Sequence, residues 1–365
     1  MKVPLAEPDL SGREAEYVLE CVKTGWISGK GEFVSKFEEE FAAYLGVEHA
    51  VAVCNGTAAL HLAVRALDIG PGDEVIVPTF TMIACANAIR YVGARPVFVD
   101  SEPRTWNLDP GRVEEKITDR TRAIMVVHIY GHPADMGPIL ELAEEHGLYV
   151  IEDAAEAHGA EYKGRKVGTF GHLACFSFYA NKIITTGEGG MVVTDDAELA
   201  ECLRRLRDQG YNVELRKWLI HDVVGYNYRM TNLQAAIGLA QLERVEELVE
   251  KRRRNASLYT SLLRNLPGIT LPPEEPWAKN VFWMYTVLVD ERAYGLGRDD
   301  LMRELEARGV DTRATFCPIH LQPPYKAEHG HESYPVAEDL GRRGLNLPSG
   351  NTLTEEQIRY VADCL

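Results

Sequence analysis

Short apolar runs alternate with helix-patterned segments through the first two-thirds of the chain. The runs HAVAVCN, DEVIVP, RPVFVD, RAIMVVHIYG and LYVIEDAA are rich in β-branched residues, and the intervening TAALHLAVRAL, TMIACANAIRYVG and ILELAEEHG have helical spacing. Strands that alternate with helices form right-handed βαβ units, whose helices cover both faces of a parallel sheet. The pattern therefore predicts an α/β fold with a mostly parallel sheet.

A charge-rich helical pattern from Asn232 to about Leu263 follows this region. It is too long for one helix of a compact domain unless it kinks or bridges two bodies. Beyond it, TLPPEEPWAKNVFWMYTVLV, DDLMRELEARGV and proline-punctuated segments are typical of a smaller α+β unit. We therefore expect a large α/β domain over residues 1–245 and a small C-terminal α+β domain over residues 246–365.

Composition and charge narrow the class of partner. Of 365 residues, 55 are acidic and 39 basic, and the net charge of −16 argues against nucleic acid or an anionic membrane as the main partner. The seven cysteines form no C-x-x-C pair, which argues against a disulfide framework and a thiolate zinc site. The first residues, MKVPLAEPDLSGREAEY, lack the apolar core of a signal peptide, and no apolar run reaches membrane-spanning length. We expect a cytoplasmic protein.

Three short segments carry residues suited to chemistry. In VAVCNGTAALHLAVRAL a strand turns into a helix at Gly56 and Thr57, where backbone amides favour an anion such as phosphate, although Thr57 also suits a simple helix N-cap. Asp153 ends the strand LYVIED, where open α/β sheets bind ligands, and it too suits an N-cap. Lys182 lies among aromatic and aliphatic residues that would desolvate its amine and favour the nucleophilic form.

One cofactor accounts for these three features together. Pyridoxal 5′-phosphate (PLP) requires a seat for its phosphate, a carboxylate that keeps its pyridine nitrogen protonated, and a lysine that forms a Schiff base. The chain offers them in Gly56 and Thr57, in Asp153, and in Lys182.

The chain also resembles a known family, the sugar-nucleotide aminotransferases of the DegT/DnrJ/EryC1/StrS group. The resemblance extends from about Trp26 to the C-terminal LNLPSG and rests on GWISGKGEFVSKFEEEFAAYLGV, NGTAALHLA, GPGDEVIVPTFT, IEDAAEAHGA, FSFYANKIITTGEGGM and GYNYRMTNLQAAIGLAQLE. It implies the PLP-dependent transferase fold of type I.

The resemblance also implies roles for individual residues. Lys182 would form the Schiff base, Asp153 would contact the pyridine nitrogen, and Glu156 would hydrogen-bond near the ring hydroxyl. The phosphate would be held by Gly56, Thr57 and Ser177, and by Asn227 of the neighbouring subunit, which implies a homodimer with shared active sites. Family members commonly place an aromatic ring against the cofactor where this chain has Met82, so the stacking there is an open question.

The substrates follow from a finer resemblance. DSEPRTWNLDP, YGHPADM, NKIITTGEGGM and VFWMYTV are most similar to the branch of the family that transfers the amino group of L-glutamate to C4 of GDP-4-keto-6-deoxy-D-mannose, giving GDP-perosamine. Enzymes that aminate UDP-linked 3- or 4-keto sugars share the same cofactor residues and are the alternative within the family. A PLP-binding regulatory protein without turnover is the alternative from another class.

Other polar clusters receive plainer interpretations. The spacing of His320, His329 and His331 fits no standard metal site, so we expect no metal, loop positions for the last two, and a substrate contact for His320. The basic run KRRR at 251–254 is interpreted as a solvated helix face. His158, near Asp153, is expected either to contact the cofactor ring or to pack in the interior.

Overall fold

The computed structural model describes residues 1–211 and 219–365 of the chain. The strands are β1 (His49–Val53), β2 (Glu74–Pro78), β3 (Arg95–Val99), β4 (Thr121–Val127), β5 (Tyr149–Asp153), β6 (Glu161–Tyr162), β7 (Arg165–Lys166), β8 (Leu173–Ser177), β9 (Gly190–Thr194), β10 (Ile269–Thr270), β11 (Ala278–Lys279), β12 (Tyr285–Val289), β13 (Arg313–Ala314) and β14 (Gly344–Leu347). The helices are α1 (Glu14–Thr24), α2 (Glu32–Leu45), α3 (Gly56–Ala66), α4 (Ala84–Tyr91), α5 (Met136–His146), α6 (Ala197–Arg207), α7 (Asn232–Leu242), α8 (Val245–Leu263), α9 (Glu291–Tyr294), α10 (Arg298–Ala307), α11 (Pro323–His329), α12 (Pro335–Arg343) and α13 (Glu355–Cys364).

A seven-stranded sheet with the order β1-β9-β8-β5-β4-β2-β3 organises the larger part of the fold. Strand β9 pairs antiparallel with β1 and β8, and every other pair in this sheet is parallel. The chain reverses at β9 because β8 and β9 are joined by residues 178–189 without a crossover helix. The predicted α/β fold with a mostly parallel sheet is confirmed, and the reversal sets residues 178–189 at the carboxyl end of β8.

Helices α7 and α8 replace the single long helical pattern predicted over residues 232–263. The chain leaves helical geometry at Arg244, with φ −119° and ψ 11°, between the two helices, so the expected kink is present. Val245 and Leu248 at the start of α8 belong to the core under the large sheet, whereas Tyr259 and Leu263 near its end belong to a second core. Helix α8 therefore also bridges two hydrophobic cores.

The second core lies against an antiparallel four-stranded sheet, β10-β12-β14-β13. Val3 is fully buried in this core and forms a parallel bridge with Val310. Val3 thus belongs to the second core although it lies near the start of the range 1–245. The boundary between residues 245 and 246 stays a prediction. Within the described ranges, the helices are too short or too polar to cross a bilayer.

Candidate active site

A cavity of about 680 Å³ opens at the carboxyl ends of β5 and β8, the edge at which open α/β sheets bind ligands. Sequence-predicted residues line much of it, together with three residues of the C-terminal part: Gly56, Thr57, Met82, Asp153, Glu156, Ser177, Lys182, Trp283, Arg313 and Phe316. The fold therefore brings together segments that are far apart in the sequence.

Lys182 is half-buried in the turn that follows β8, where its amide donates to the carbonyl of Tyr179 at 2.9 Å. Its ammonium nitrogen lies 3.6 Å from the centre of the Trp283 ring. Burial lowers the pKa of Lys182, and the nearby carboxylates of Glu156 and Asp153 oppose that shift only in part. A lysine with a lowered pKa in a cavity is suited to act as a nucleophile or a base.

Asp153 is buried at the last position of β5, with its carboxylate in the cavity wall. Its Oδ1 accepts the amide of Ala155 at 3.0 Å, and its Oδ2 accepts the thiol of Cys85 at 3.0 Å. No helix begins in the turn that follows, so the alternative of a helix N-cap is wrong for this residue. The carboxylate is fixed by two hydrogen bonds and remains available to a cation in the cavity.

Glu156 is buried beside Lys182 and accepts the backbone amide of Tyr130 at 2.7 Å. Burial raises its pKa to about 7, although the charge of Lys182 works in the opposite direction. Tyr130 has φ 53° and ψ 15°, a left-handed conformation that is uncommon outside glycine. Such conformations concentrate at functional sites, and here one directs the amide of Tyr130 at the carboxylate.

The N-terminus of α3 forms one end of the cavity. Asn55 caps this helix by accepting the amide of Ala58 at 2.8 Å, so the alternative that Thr57 serves as the N-cap is wrong. A Cβ on Gly56 would lie 2.8 Å from the Cβ of Ser177, which means that the helix and the end of β8 approach too closely for any other residue. The first turn of α3 and Ser177 together form a cradle of suitable chemistry for an anion.

Three stacked rings, which we call the aromatic wall, lie at one side of the cavity: Trp283 and Phe316 line it, and Tyr130 is buried and stacks on both. The rings of Tyr130 and Phe316 lie 5.3 Å apart and 2° from parallel, and those of Tyr130 and Trp283 lie 6.2 Å apart and 17° from parallel. No pattern in the sequence marked this wall as part of the site. Its members come from separate parts of the chain, although the motifs YGHPADM and VFWMYTV contain two of them, Tyr130 and Trp283.

Three other residues that the sequence singled out have surroundings that differ from one another: one lines the cavity, one is buried and one is exposed elsewhere. Met82 is 50% exposed and lines the cavity, where it can reach a bound molecule. His158 is buried between the rings of Phe176 and Phe178, and burial lowers its pKa to about 3. Asn227 is exposed and does not line the cavity of its own chain.

The histidine cluster is dispersed in the structure. His320 is fully buried, accepts or donates a hydrogen bond with Thr79 at 2.8 Å, and does not line the cavity, so in this conformation it cannot make the predicted substrate contact. His329 is buried at the end of α11 instead of lying in a loop, and His331 is exposed. Among the described residues, no group of three or more histidine, cysteine or acidic side chains is arranged to bind a metal ion.

The basic run at 251–254 departs most from its prediction. Arg252 is only 2% exposed, and its guanidinium donates to oxygens of Asn181, Trp283, Ser349 and Asn351. The interpretation of a solvated helix face is therefore wrong for Arg252. No sequence signal distinguishes it from the arginines beside it, because its partners lie up to about a hundred residues away along the chain.

A lysine and an aspartate that share a cavity at the carboxyl edge of this sheet, beside a helix N-terminus, define the class of PLP-dependent transferases of fold type I. The model of the DegT/DnrJ/EryC1/StrS aminotransferase family matches residues 8–365, and the chain belongs to that family. The resemblance seen in the sequence is thus confirmed and extends closer to both ends of the chain.

Two relatives and one solved structure show how similar the chain is to known proteins. It is 52% identical over 365 residues to the GDP-perosamine synthase of Caulobacter vibrioides, covering 100% of this chain and 97% of that protein. It is 47% identical over 363 residues to the GDP-perosamine synthase of Escherichia coli O157:H7, with coverage of 100% and 97%. The crystal structure of S. venezuelae DesV in complex with a ketimine intermediate matches with a TM-score of 0.92 at 41% identity, covering 100% of this chain and 97% of that one.

Proposed function

We propose that this aminotransferase uses PLP to transfer the amino group of L-glutamate to C4 of GDP-4-keto-6-deoxy-D-mannose, giving GDP-perosamine. The observation that carries amino transfer is the amine of Lys182 in one cavity with Asp153 and Glu156, beside the N-terminus of α3. The choice of sugar nucleotide is supported by the identity of the full chain to two proteins named GDP-perosamine synthase.

The residues present fit the phosphate of PLP. The close approach of Gly56 to Ser177 leaves backbone amides and a hydroxyl facing the same space, and Thr57 adds a second hydroxyl to the lining. The partial positive charge at the start of α3 favours an anion there. Gly56, Thr57 and Ser177 would therefore hold the phosphate.

The residues around the carboxylates fit the ring of PLP. Asp153 would hold a proton on the pyridine nitrogen, because its carboxylate is fixed by Cys85 and Ala155 and still faces the cavity. Glu156 would hydrogen-bond near the ring hydroxyl, and Met82 would lie against the ring face. When bound, PLP supplies an electron sink for the electrons left on a substrate carbon that loses a proton.

Lys182 would move the proton in both halves of the reaction. Its Nζ would accept a proton from the carbon on one side of the transferred nitrogen and deliver it to the carbon on the other side, provided that the amine is neutral when it accepts. The lowered pKa of Lys182 favours that neutral form. The aromatic wall helps to limit the water that can reach the amine, since the Trp283 ring covers Nζ at 3.6 Å.

Arg313 gives the cavity a cation suited to both substrates. L-Glutamate carries carboxylates and the sugar nucleotide carries a diphosphate, whereas the chain as a whole has a charge of −16. Arg313 is exposed at the cavity, and no carboxylate of residues 1–211 or 219–365 lies within ion-pair distance of it. An arginine fork that forms no ion pair within these ranges is suited to bind either anion.

A homodimer with shared active sites is part of the proposal. Asn227 is exposed and does not line the cavity of its own chain, which leaves it free to serve a neighbouring site. The chain also exposes large apolar side chains that an interface would cover, among them Val22 at 60%, Trp26 at 59% and Val224 at 86%.

The substrate can be tested with purified protein, PLP and L-glutamate. GDP-4-keto-6-deoxy-D-mannose should be aminated in preference to UDP-linked 3- and 4-keto sugars, measured as 2-oxoglutarate release and as the mass of the amino sugar. The matched control is Lys182→Ala, which should release no 2-oxoglutarate. A preference for a UDP-linked sugar would replace the proposed acceptor and leave the aminotransferase intact. Absence of 2-oxoglutarate with every keto sugar would instead favour the non-catalytic PLP-binding protein.

A further inference from the structure

Arg252 is a buried cation to which residues 1–211 and 219–365 supply no acidic partner. Its side chain is 2% exposed within α8, and no carboxylate of the described residues forms an ion pair with it. Burial lowers the pKa of its guanidinium to about 9. A buried charge that lacks a counter-ion is costly for a protein, so its presence calls for a local reason.

The hydrogen bonds of Arg252 converge on the surroundings of Lys182. Its Nη2 donates to the carbonyl of Asn181 at 3.4 Å, and its Nη1 donates to the carbonyl of Trp283 at 2.9 Å and to that of Ser349. The first partner precedes Lys182 in the chain, and the second carries the ring over which the lysine amine lies.

Asn351 extends this network to the other side of the lysine. Its Oδ1 accepts from Nε of Arg252 at 2.6 Å, and its Nδ2 donates to the carbonyl of Ile183 at 3.1 Å. The indole nitrogen of Trp283 also donates to the carbonyl of Asn181, at 2.9 Å. The backbone on both sides of Lys182 is therefore tied to one guanidinium.

The charge of Arg252 acts on the same amine. The groups that face Lys182 are the carboxylates of Asp153 and Glu156, the thiol of Cys85 and the guanidinium of Arg252, and His158 lies close enough to sense the lysine charge. The carboxylates favour the ammonium form, whereas a second cation disfavours it.

We infer that Arg252 is a positioning residue, which together with Asn351 fixes the backbone on both sides of Lys182 and thereby the place of the lysine amine. As a second and separate contribution, the positive charge of Arg252 disfavours a positive charge on that amine. The inference rests on the proposed function, in which Nζ of Lys182 moves the proton. The fork of arginine suits this role because it reaches several carbonyls at once in a fixed plane, which the single ammonium of lysine cannot do.

Two substitutions at Arg252 separate the effect of its planar guanidinium fork from the effect of its charge. Arg252→Gln removes the charge, and Arg252→Lys keeps the charge and loses the fork. The matched control is Arg254→Gln, an exposed arginine on the same helix. Asn351→Ala is a third variant, which keeps Arg252 and releases the carbonyl of Ile183. Circular dichroism and thermal unfolding would establish that each full-length variant folds.

The charge is tested by the reactivity of Lys182. The full chain, freed of PLP, is treated with acetic anhydride over a range of pH, and acetylation of Lys182 is followed by mass spectrometry. We expect the pH midpoint of Lys182 acetylation to rise by about one pH unit in Arg252→Gln, because a nearby like charge is lost. Arg252→Lys and Arg254→Gln should keep the midpoint of the parent. An unchanged midpoint in Arg252→Gln would overturn the role of the charge.

The fork is tested by the reaction of the PLP-loaded protein with L-glutamate alone. In Arg252→Lys and Asn351→Ala we expect kcat to fall by about tenfold or more while KM changes by less than about threefold, since a misplaced base slows chemistry without weakening binding. Unchanged kcat in both variants would overturn the positioning role. If Arg252→Gln and Arg252→Lys fail to fold, the kcat of Asn351→Ala alone tests the positioning role.

The tests of Arg252 can succeed or fail independently of the proposed function. The acetylation midpoint of Lys182 needs neither cofactor nor sugar, so it reports on Arg252 even if no keto sugar is aminated. Conversely, full activity in every Arg252 variant would refute this inference and leave GDP-perosamine formation untouched.

Discussion

At the scale of single residues, two adjacent acids on β5 have opposite surroundings. Successive side chains of a strand point to opposite faces of the sheet, so Glu152 and Asp153 cannot face the same space. Glu152 is fully buried and accepts the amides of Gly168, Phe170 and Gly171, each at 2.7 Å, as well as a hydrogen bond from His128. Glu152 thus anchors a loop, and Asp153 faces the cavity.

These surroundings predict opposite phenotypes for matched substitutions. Asp153→Asn should lower kcat by about a hundredfold or more, because an amide cannot hold a proton on the pyridine nitrogen, and should change stability little. Glu152→Gln should cost about 1–3 kcal/mol of the free energy of unfolding, since an amide satisfies the loop amides less well. Turnover with L-glutamate and urea unfolding check the pair. Normal turnover in Asp153→Asn would reduce that carboxylate to a structural role.

His158 predicts a dependence of stability on pH. Its pKa is lowered from 6.5 to about 3, chiefly by burial and secondarily by the charge of Lys182, so below pH 6.5 the unfolded chain binds a proton that the folded one excludes. The stabilisation is present above pH 6.5 and is lost as the pH falls towards 3. Between pH 7 and pH 5 this loss should lower the free energy of unfolding by about 2 kcal/mol.

The measurement is urea unfolding of His158→Leu and of the parent at several pH values. The decline of the free energy of unfolding between pH 7 and pH 5 should be shallower in His158→Leu, whereas His331→Leu, at an exposed position, should decline like the parent. Parallel curves for His158→Leu and the parent would show that His158 is protonated in the folded protein.

Local sequence was sufficient for some residues of the site and insufficient for others. Asp153 and Lys182 stand at positions that local pattern marks, the end of a strand and an apolar turn. Arg252 and Phe316 gain their roles only from contacts with segments far along the chain, which no short-range pattern contains. His320 shows the converse error, because a histidine in a proline-rich segment was expected near substrate and lies buried.

At the scale of secondary structure, the approach of α3 to β8 predicts the effect of one methyl group. Gly56→Ala would place its Cβ 2.8 Å from the Cβ of Ser177, so the helix or the strand end must shift. We expect the affinity for PLP to weaken by about tenfold or more. Fluorescence titration with PLP measures this, and Gly70→Ala is the matched control because its nearest contact is at 3.8 Å. Equal affinity in both variants would show that the cradle does not hold the phosphate.

The positions of the strands were predicted better than the directions in which they run in the sheet. The apolar runs located β1 to β5, since strands buried on both faces have continuous apolar sequences. The reversal at β9 was not predicted, because GEGGMVVTDD marks a turn and a strand without specifying which neighbour the strand joins. The periodicity over residues 232–263 was real, and the alternatives of kinking and bridging both apply.

At the scale of the whole molecule, the proposed sharing of active sites between subunits predicts complementation between two inactive proteins. Lys182→Ala and Asn227→Ala homodimers should each have low activity, because every site lacks one group. In an isologous heterodimer one site has both groups and the other has neither. After statistical mixing half of the dimers are heterodimers with one complete site, so about a quarter of the parental activity should return.

Subunit exchange is verified by native mass spectrometry before activity is measured. The control mixes Lys182→Ala with Asp153→Asn, whose residues lie in one cavity of one chain. There each site carries one of the two defects, so activity should not return. No recovery in the Lys182→Ala and Asn227→Ala mixture would show that Asn227 does not complete the neighbouring site.

The bridge between Val3 and Val310 has a consequence for the order in which the chain is made. Val3 is synthesised about three hundred residues before the segment that it binds, since its amide donates to the carbonyl of Gly309, and the carbonyl of Leu5 accepts from the amide of Ser349. On the ribosome Val3 has no such partner until position 309 is made, and the carbonyl of Leu5 has none until position 349 is made. Because domains made first generally fold first, the large sheet can form while the second core still waits for these two distant segments to meet.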